Sequence, residues 1–120
     1  MKKVLVVDDS EVNLYLIRSA FRNDPDISVE IETDSTVALS KIIDSHPDIL
    51  VLDIMMPELN GLDLLKQIKS DPEISEIPVI INSALSEESS VEEAMNMGAR
   101  DYIMKPVEFE TLRQVIMKYV

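Results

Sequence analysis

The sequence predicts an α/β fold built on a parallel sheet with helices packed against it. Short apolar runs alternate with amphipathic helical patterns along the whole chain. Two runs, Val4-Leu5-Val6-Val7 and Ile49-Leu50-Val51-Leu52, are continuously apolar, as a strand covered on both faces must be. Each stops at carboxylates: Asp8 and Asp9 after the first, Asp53 after the second. In open α/β sheets, ligands bind outside the C-terminal ends of the strands. Three carboxylates therefore converge on one rim if these strands are parallel neighbours.

Strands are expected near residues 3–8, 28–32, 48–53, 78–82 and 101–104. Helices are expected near 10–23, 35–45, 61–70, 87–97 and 108–119. In the first helix Leu16, Ile17, Ala20 and Phe21 share a face, with Glu11, Arg18 and Arg22 opposite. Asn13 falls on that apolar face, where a buried, backbone-bonded structural role is expected. In the fourth helix Val91, Ala94, Met95 and Gly98 follow the helical spacing; in the fifth, Leu112, Val115, Ile116 and Tyr119 do. Glu87 and Glu88 suit the positive end of the fourth helix dipole, and Gly98 suits its left-handed C-cap. The longest irregular stretch runs from Asp71 to Glu76. His46, before Pro47, reads as a solvated loop residue.

The 120 residues form a single predicted domain, 1–120. Such a chain buries roughly two-thirds of its surface and needs no staples. Without cysteine it can have no disulfide and no thiolate metal site. That suits a reducing cytosol, so a cytoplasmic location is expected. A net charge of −12 argues against direct contact with nucleic acid or anionic membranes. Much of that acid simply keeps the surface solvated. No apolar run is long enough to span a bilayer, and Met1-Lys2-Lys3 leads into a run too short for a signal peptide.

Three carboxylates at one rim repel each other unless a cation sits among them, and hard oxygen ligands favour Mg²⁺. After Asp53, Pro57 and Asn60-Gly61 constrain a loop that brings the Met55 carbonyl beside the carboxylates. The fourth strand ends in Asn82-Ser83-Ala84 and the fifth in Lys105-Pro106. Three carboxylates, a hydroxyl and an ammonium at strand ends suit phosphoryl chemistry. A carboxylate can act as nucleophile and become an acyl phosphate. Taken singly, Asp8 and Asp9 could be a helix cap, Lys105 a surface lysine and Ser83 a turn residue; their joint placement favours a site.

The chain resembles the receiver domain of two-component response regulators, in its stand-alone, chemotaxis-regulator-like form. The matching segments are Val7-Asp8-Asp9-Ser10, Leu52-Asp53-Ile54-Met55-Met56-Pro57, Asn60-Gly61, Asn82-Ser83-Ala84 and Gly98 to Pro106, in family order and spacing. The resemblance implies a flavodoxin-like, doubly wound sheet of five strands in the order 2-1-3-4-5. It implies that Asp53 accepts a phosphoryl group from a histidine kinase or histidine phosphotransfer protein. Asp9 would ligate Mg²⁺ directly and Asp8 mostly through water, with Asp53 and the Met55 carbonyl completing the protein ligands. Lys105, aimed by a cis bond to Pro106, would pair with the phosphoryl group. Ser83 would move to meet it, and Tyr102 would swing inward. Ser83 stands where threonine is commoner in the family. The positions that tune acyl-phosphate hydrolysis there carry Met55 and Leu85, both apolar, so slow water attack is expected.

The chain would then be a phosphoacceptor switch that catalyses only its own phosphorylation and dephosphorylation, not an enzyme of external substrates. Its output would be protein contact or phosphorelay, with a downstream target on the fourth helix, fifth strand and fifth helix. Met97 and Met117, off their helices' apolar stripes, would give that face soft contacts. On Tyr102 alone, a half-buried packing role is the simpler reading. Two rival classes remain open at this point. A small aspartate-nucleophile phosphohydrolase would use similar groups, but the chain has no insertion for a cap and its first-strand acids are adjacent. A flavodoxin-like electron carrier would need a Ser/Thr/Gly-rich phosphate loop, and Ser10-Glu11-Val12-Asn13 is not one.

Overall fold

A computed structural model describes residues 2–54, 61–83, 88–104 and 108–119, apart from the side chains of Asn13, Ser35, Ser83, Glu88 and Phe109. Among the described residues five strands and five helices alternate: β1 (Lys2–Val7), α1 (Glu11–Ala20), β2 (Ile27–Glu32), α2 (Ser35–Ser45), β3 (Ile49–Asp53), α3 (Gly61–Ser70), β4 (Val79–Ser83), α4 (Glu88–Asn96), β5 (Asp101–Met104) and α5 (Phe109–Tyr119). All strand pairs are parallel, in the order β2-β1-β3-β4-β5. The doubly wound α/β architecture expected from the resemblance is therefore present.

The continuous apolar runs have the physical basis expected of them. Along β1, Val4 and Val6 face a core shared with α1 and α5, while Leu5 and Val7 face a second core under α2, α3 and α4. β3 divides in the same way, with Ile49 and Val51 on the first side and Leu50 and Leu52 on the second. All eight side chains are fully buried. Each contributes about 1.5–3 kcal/mol of transfer free energy, so these two strands anchor the domain.

The α2 N-terminus is capped by Asp34, whose carboxylate accepts from the Thr36 N–H at 2.9 Å. At its other end His46 is exposed, as expected, but it also serves as the C-cap. Its backbone is left-handed (φ 45°), and its N–H donates to the Ile42 carbonyl at 2.9 Å. Gly98, with φ 110°, follows α4 in the conformation expected of it.

Two expectations need correction. α1 stops at Ala20, three residues early. Phe21 and Arg22 donate to Arg18 and Ser19, three residues back, so the chain tightens as Pro25 approaches. Met97 is partly buried against the core, where it had been expected off the stripe. Met117 is exposed. The stretch after α3 is a packed turn: Ser75 N–H donates to the Asp71 carbonyl at 2.8 Å, and Ile74 is fully buried.

Candidate functional site

Strand alternation places Asp8 on the β1 face that carries Val4 and Val6, and Asp53 on the β3 face that carries Ile49 and Val51. The register sets Val7 opposite Leu52 and Asp53 opposite Asn82. Asp8, Asp53 and Asn82 therefore lie in one row across β1, β3 and β4, at the C-terminal ends of the strands. All three are buried; Asp9, one residue further, is exposed.

Local contacts tie down the backbone at both strand ends and one oxygen of the Asp8 carboxylate. The Asp8 N–H donates to the Glu32 carbonyl at 3.1 Å, which ties the end of β1 to β2. Asp8 Oδ1 accepts from the Ser10 N–H at 2.9 Å, and the Ser10 carbonyl then accepts the Leu14 N–H at 3.0 Å, which opens α1. This is an Asx turn ahead of α1 rather than the helix cap weighed for Asp8, because its partner Ser10 precedes the first helical residue, Glu11. Behind Asp53, the Gly61 N–H donates to the Ile54 carbonyl at 2.7 Å, closing the loop between β3 and α3. A Cβ on Gly61 would lie 2.2 Å from the Asp53 carbonyl oxygen, so only glycine permits this approach.

One carboxylate oxygen from each of Asp8, Asp9 and Asp53 falls within 4.8 Å of the others. At that separation, and an effective dielectric of about 20, the buried Asp8–Asp53 pair alone repels by about 3 kcal/mol. A divalent cation removes that penalty. Three hard oxygen donors, two held rigidly in the sheet and one reaching solvent, suit Mg²⁺, which keeps several waters and takes few protein ligands.

The other expected site residues are placed less fully. Met55 and Lys105 lie outside the described residues, as do Leu85, Glu87, Pro57 and Pro106. Ser83 ends β4 in register with Met104, and its side chain is likewise outside the description, as is that of Asn13. Tyr102 is 47% exposed on β5. It borders an open groove of about 410 Å³ with Val91, Met95 and Met104, between α4 and β5. Among the described residues no helix is long and apolar enough to cross a membrane.

Asn82 was not singled out as a site residue from the sequence. It is 1% exposed, and its Nδ2 lies 3.5 Å from Asp8 Oδ2. The available signal was a polar residue ending the apolar run Val79-Ile80-Ile81.

Comparison with known proteins agrees with this geometry. Residues 4–117 match the family model of the response regulator receiver domain. The chain is 36% identical to protein PilH of Pseudomonas aeruginosa, covering 97% of this chain and 95% of that protein. It is 30% identical to the polar-differentiation response regulator DivK of Brucella ovis, covering 99% and 96% respectively. Two further relatives are longer, and the match spans 33% and 25% of them. Among solved structures, chemotaxis protein CheY4 of Vibrio cholerae superposes with a TM-score of 0.89 at 25% identity, covering 100% of this chain and 99% of that one. With the same strand order, the acidic cluster at the strand ends and a family match along nearly its whole length, the chain belongs to the response regulator receiver domain family.

Proposed function

We infer that this chain is a Mg²⁺-dependent phosphoacceptor switch, with Asp53 as the acceptor. The observation that carries the inference is the convergence of Asp8, Asp9 and Asp53 on one point of the sheet rim. An Asp53 carboxylate oxygen attacks the phosphorus of a phosphohistidine on a kinase or phosphotransfer protein. The P–N bond breaks, the imidazole leaves with the electron pair, and an acyl phosphate remains on Asp53. Asp8, Asp9, Asp53 and the Met55 carbonyl would hold Mg²⁺, which when bound neutralises charge on the phosphoryl oxygens. Lys105 pairs with the same oxygens and the Ser83 hydroxyl donates to one of them. Water attack at phosphorus later returns Asp53 to its carboxylate.

Residues 1–120 act as one domain, and its surface presents the phosphorylation-dependent change. Phosphorylation biases a two-state surface, with Ser83 and Tyr102 as the moving parts. The groove between α4 and β5, lined by Val91, Met95, Tyr102 and Met104, supports a downstream protein target on the α4-β5-α5 face. The acidic surface argues against nucleic acid and anionic membranes. The absence of cysteine suits a cytoplasmic location.

Intact mass after incubation with Mg²⁺ and a small acyl-phosphate donor tests this function. One phosphoryl adduct on wild type, absent from Asp53→Ala and absent in chelator, is expected. No adduct on wild type, or an equal adduct on Asp53→Ala, refutes it.

A further inference from the structure

β4 runs Val79-Ile80-Ile81-Asn82-Ser83, and its first three residues are fully buried. Asn82 is 1% exposed, so a side chain with two hydrogen-bonding ends stands in the core of the sheet. It lies in register with Asp53, on the face that carries Ile80. Its Nδ2 is 3.5 Å from Asp8 Oδ2, a long contact. An ionised carboxylate can only accept, which fixes the amide with its NH₂ group toward Asp8. The Oδ1 atom is then directed away from Asp8, buried and with no hydrogen-bond donor among the described residues. Buried polar atoms rarely lack a partner, and this one belongs to a residue already touching the carboxylate cluster.

The geometry points to Asn82 as a further positioning residue of the cation site: its NH₂ group donates to Asp8 Oδ2 and so orients that carboxylate for the cation. This role rests on the Mg²⁺ site proposed above. An amide suits the place because it donates to Asp8 without adding charge. A fourth carboxylate would add repulsion to the cluster. Groups one step outside the direct ligands orient those ligands and tune affinity for the ion.

Calorimetric titration of the full chain with MgCl₂ decides the matter, using wild type, Asp8→Asn, Asn82→Leu and Asn82→Ser. Melting temperatures in chelator are recorded alongside. Leucine matches asparagine in size and removes both hydrogen-bonding ends; its Kd for Mg²⁺ is expected to rise about tenfold. Serine, too short to reach Asp8, is expected to weaken Mg²⁺ binding to a similar extent. A merely structural asparagine would move the melting temperatures and leave both affinities at the wild-type value, which overturns the proposal. Should the leucine variant fail to fold, the serine variant decides, and unchanged binding overturns the proposal. Wild type failing to bind Mg²⁺ would overturn the cation site as well. Wild-type binding lost in Asp8→Asn but unchanged in Asn82→Leu would overturn the Asn82 role alone.

Discussion

Gly61→Ala should damage both stability and phosphoryl acceptance, although alanine is the better helix former. A Cβ there would lie 2.2 Å from the Asp53 carbonyl oxygen and 2.6 Å from Ile54 Cα. The first distance falls about 1.2 Å short of the 3.4 Å at which ordinary contact begins. Both neighbours are backbone, so no side chain can swing aside. The α3 N-terminus must move away from β3, stretching the 2.7 Å bond from Gly61 N–H to the Ile54 carbonyl. Overpacking of this kind costs typically about 1–3 kcal/mol. The gain of up to about 1 kcal/mol in helix propensity offsets part of it. Because both neighbours are backbone the cost lies at the upper end, and a net loss of about 2 kcal/mol, for a chain whose unfolding entropy is roughly 0.25 kcal/mol per kelvin, lowers Tm by about 8 °C. The strain falls on Asp53 itself. A displacement of about 1 Å at a reacting group can cost on the order of a hundredfold in rate. Thermal unfolding and the rate of adduct formation from an acyl-phosphate donor measure the two effects. A variant with wild-type Tm and wild-type rate would refute the idea that this close approach positions the acceptor.

Other perturbations probe the electrostatics. In chelator, Asp8→Asn should raise stability, by well under the about 3 kcal/mol of repulsion with Asp53 that it removes, because Oδ1 still accepts from Ser10 while the new NH₂ group faces Asn82 Nδ2. The same variant should lose the Mg²⁺-dependent rise in Tm; an unchanged response to Mg²⁺ would contradict the cluster's role. Lys69 has its pKa lowered below 10.5 by burial and by the nearby Arg100, partly opposed by Glu76. The charged form is thus disfavoured in the fold. Between the folded pKa and 10.5 the unfolded chain holds more protons, so this group adds stability as pH rises through that window. The stability of wild type relative to Lys69→Met should therefore grow toward alkaline pH, and a flat difference would show that Lys69 is not responsible.

Much of this structure was legible in the sequence, for identifiable reasons. β1 and β3 are buried on both faces, so their residues had to be apolar without alternation, and the carboxylates that end them stood out. Gly98 revealed its left-handed backbone because glycine is the usual residue there. His46 adopts a left-handed backbone without glycine, so composition carried no sign of its capping role. α1 was read too long because Phe21 continues the apolar stripe; it is buried, but from a tight turn. Ile74 sits in the core from a stretch with no helical or strand period. Asn82 escaped notice as part of the site because its meaning comes from register, opposite Asp53 and across the sheet from Asp8, and a single strand does not display its neighbours.

The central claim is that the strand-end carboxylates make Asp53 a Mg²⁺-dependent phosphoryl acceptor. Borohydride reduction of the phosphorylated chain, followed by peptide sequencing, tests it most directly, since reduction converts an aspartyl phosphate to homoserine. Homoserine at position 53 alone, and only when Mg²⁺ was present, is predicted. Homoserine at position 8 or 9, or at 53 in chelator to the same extent, would contradict the account.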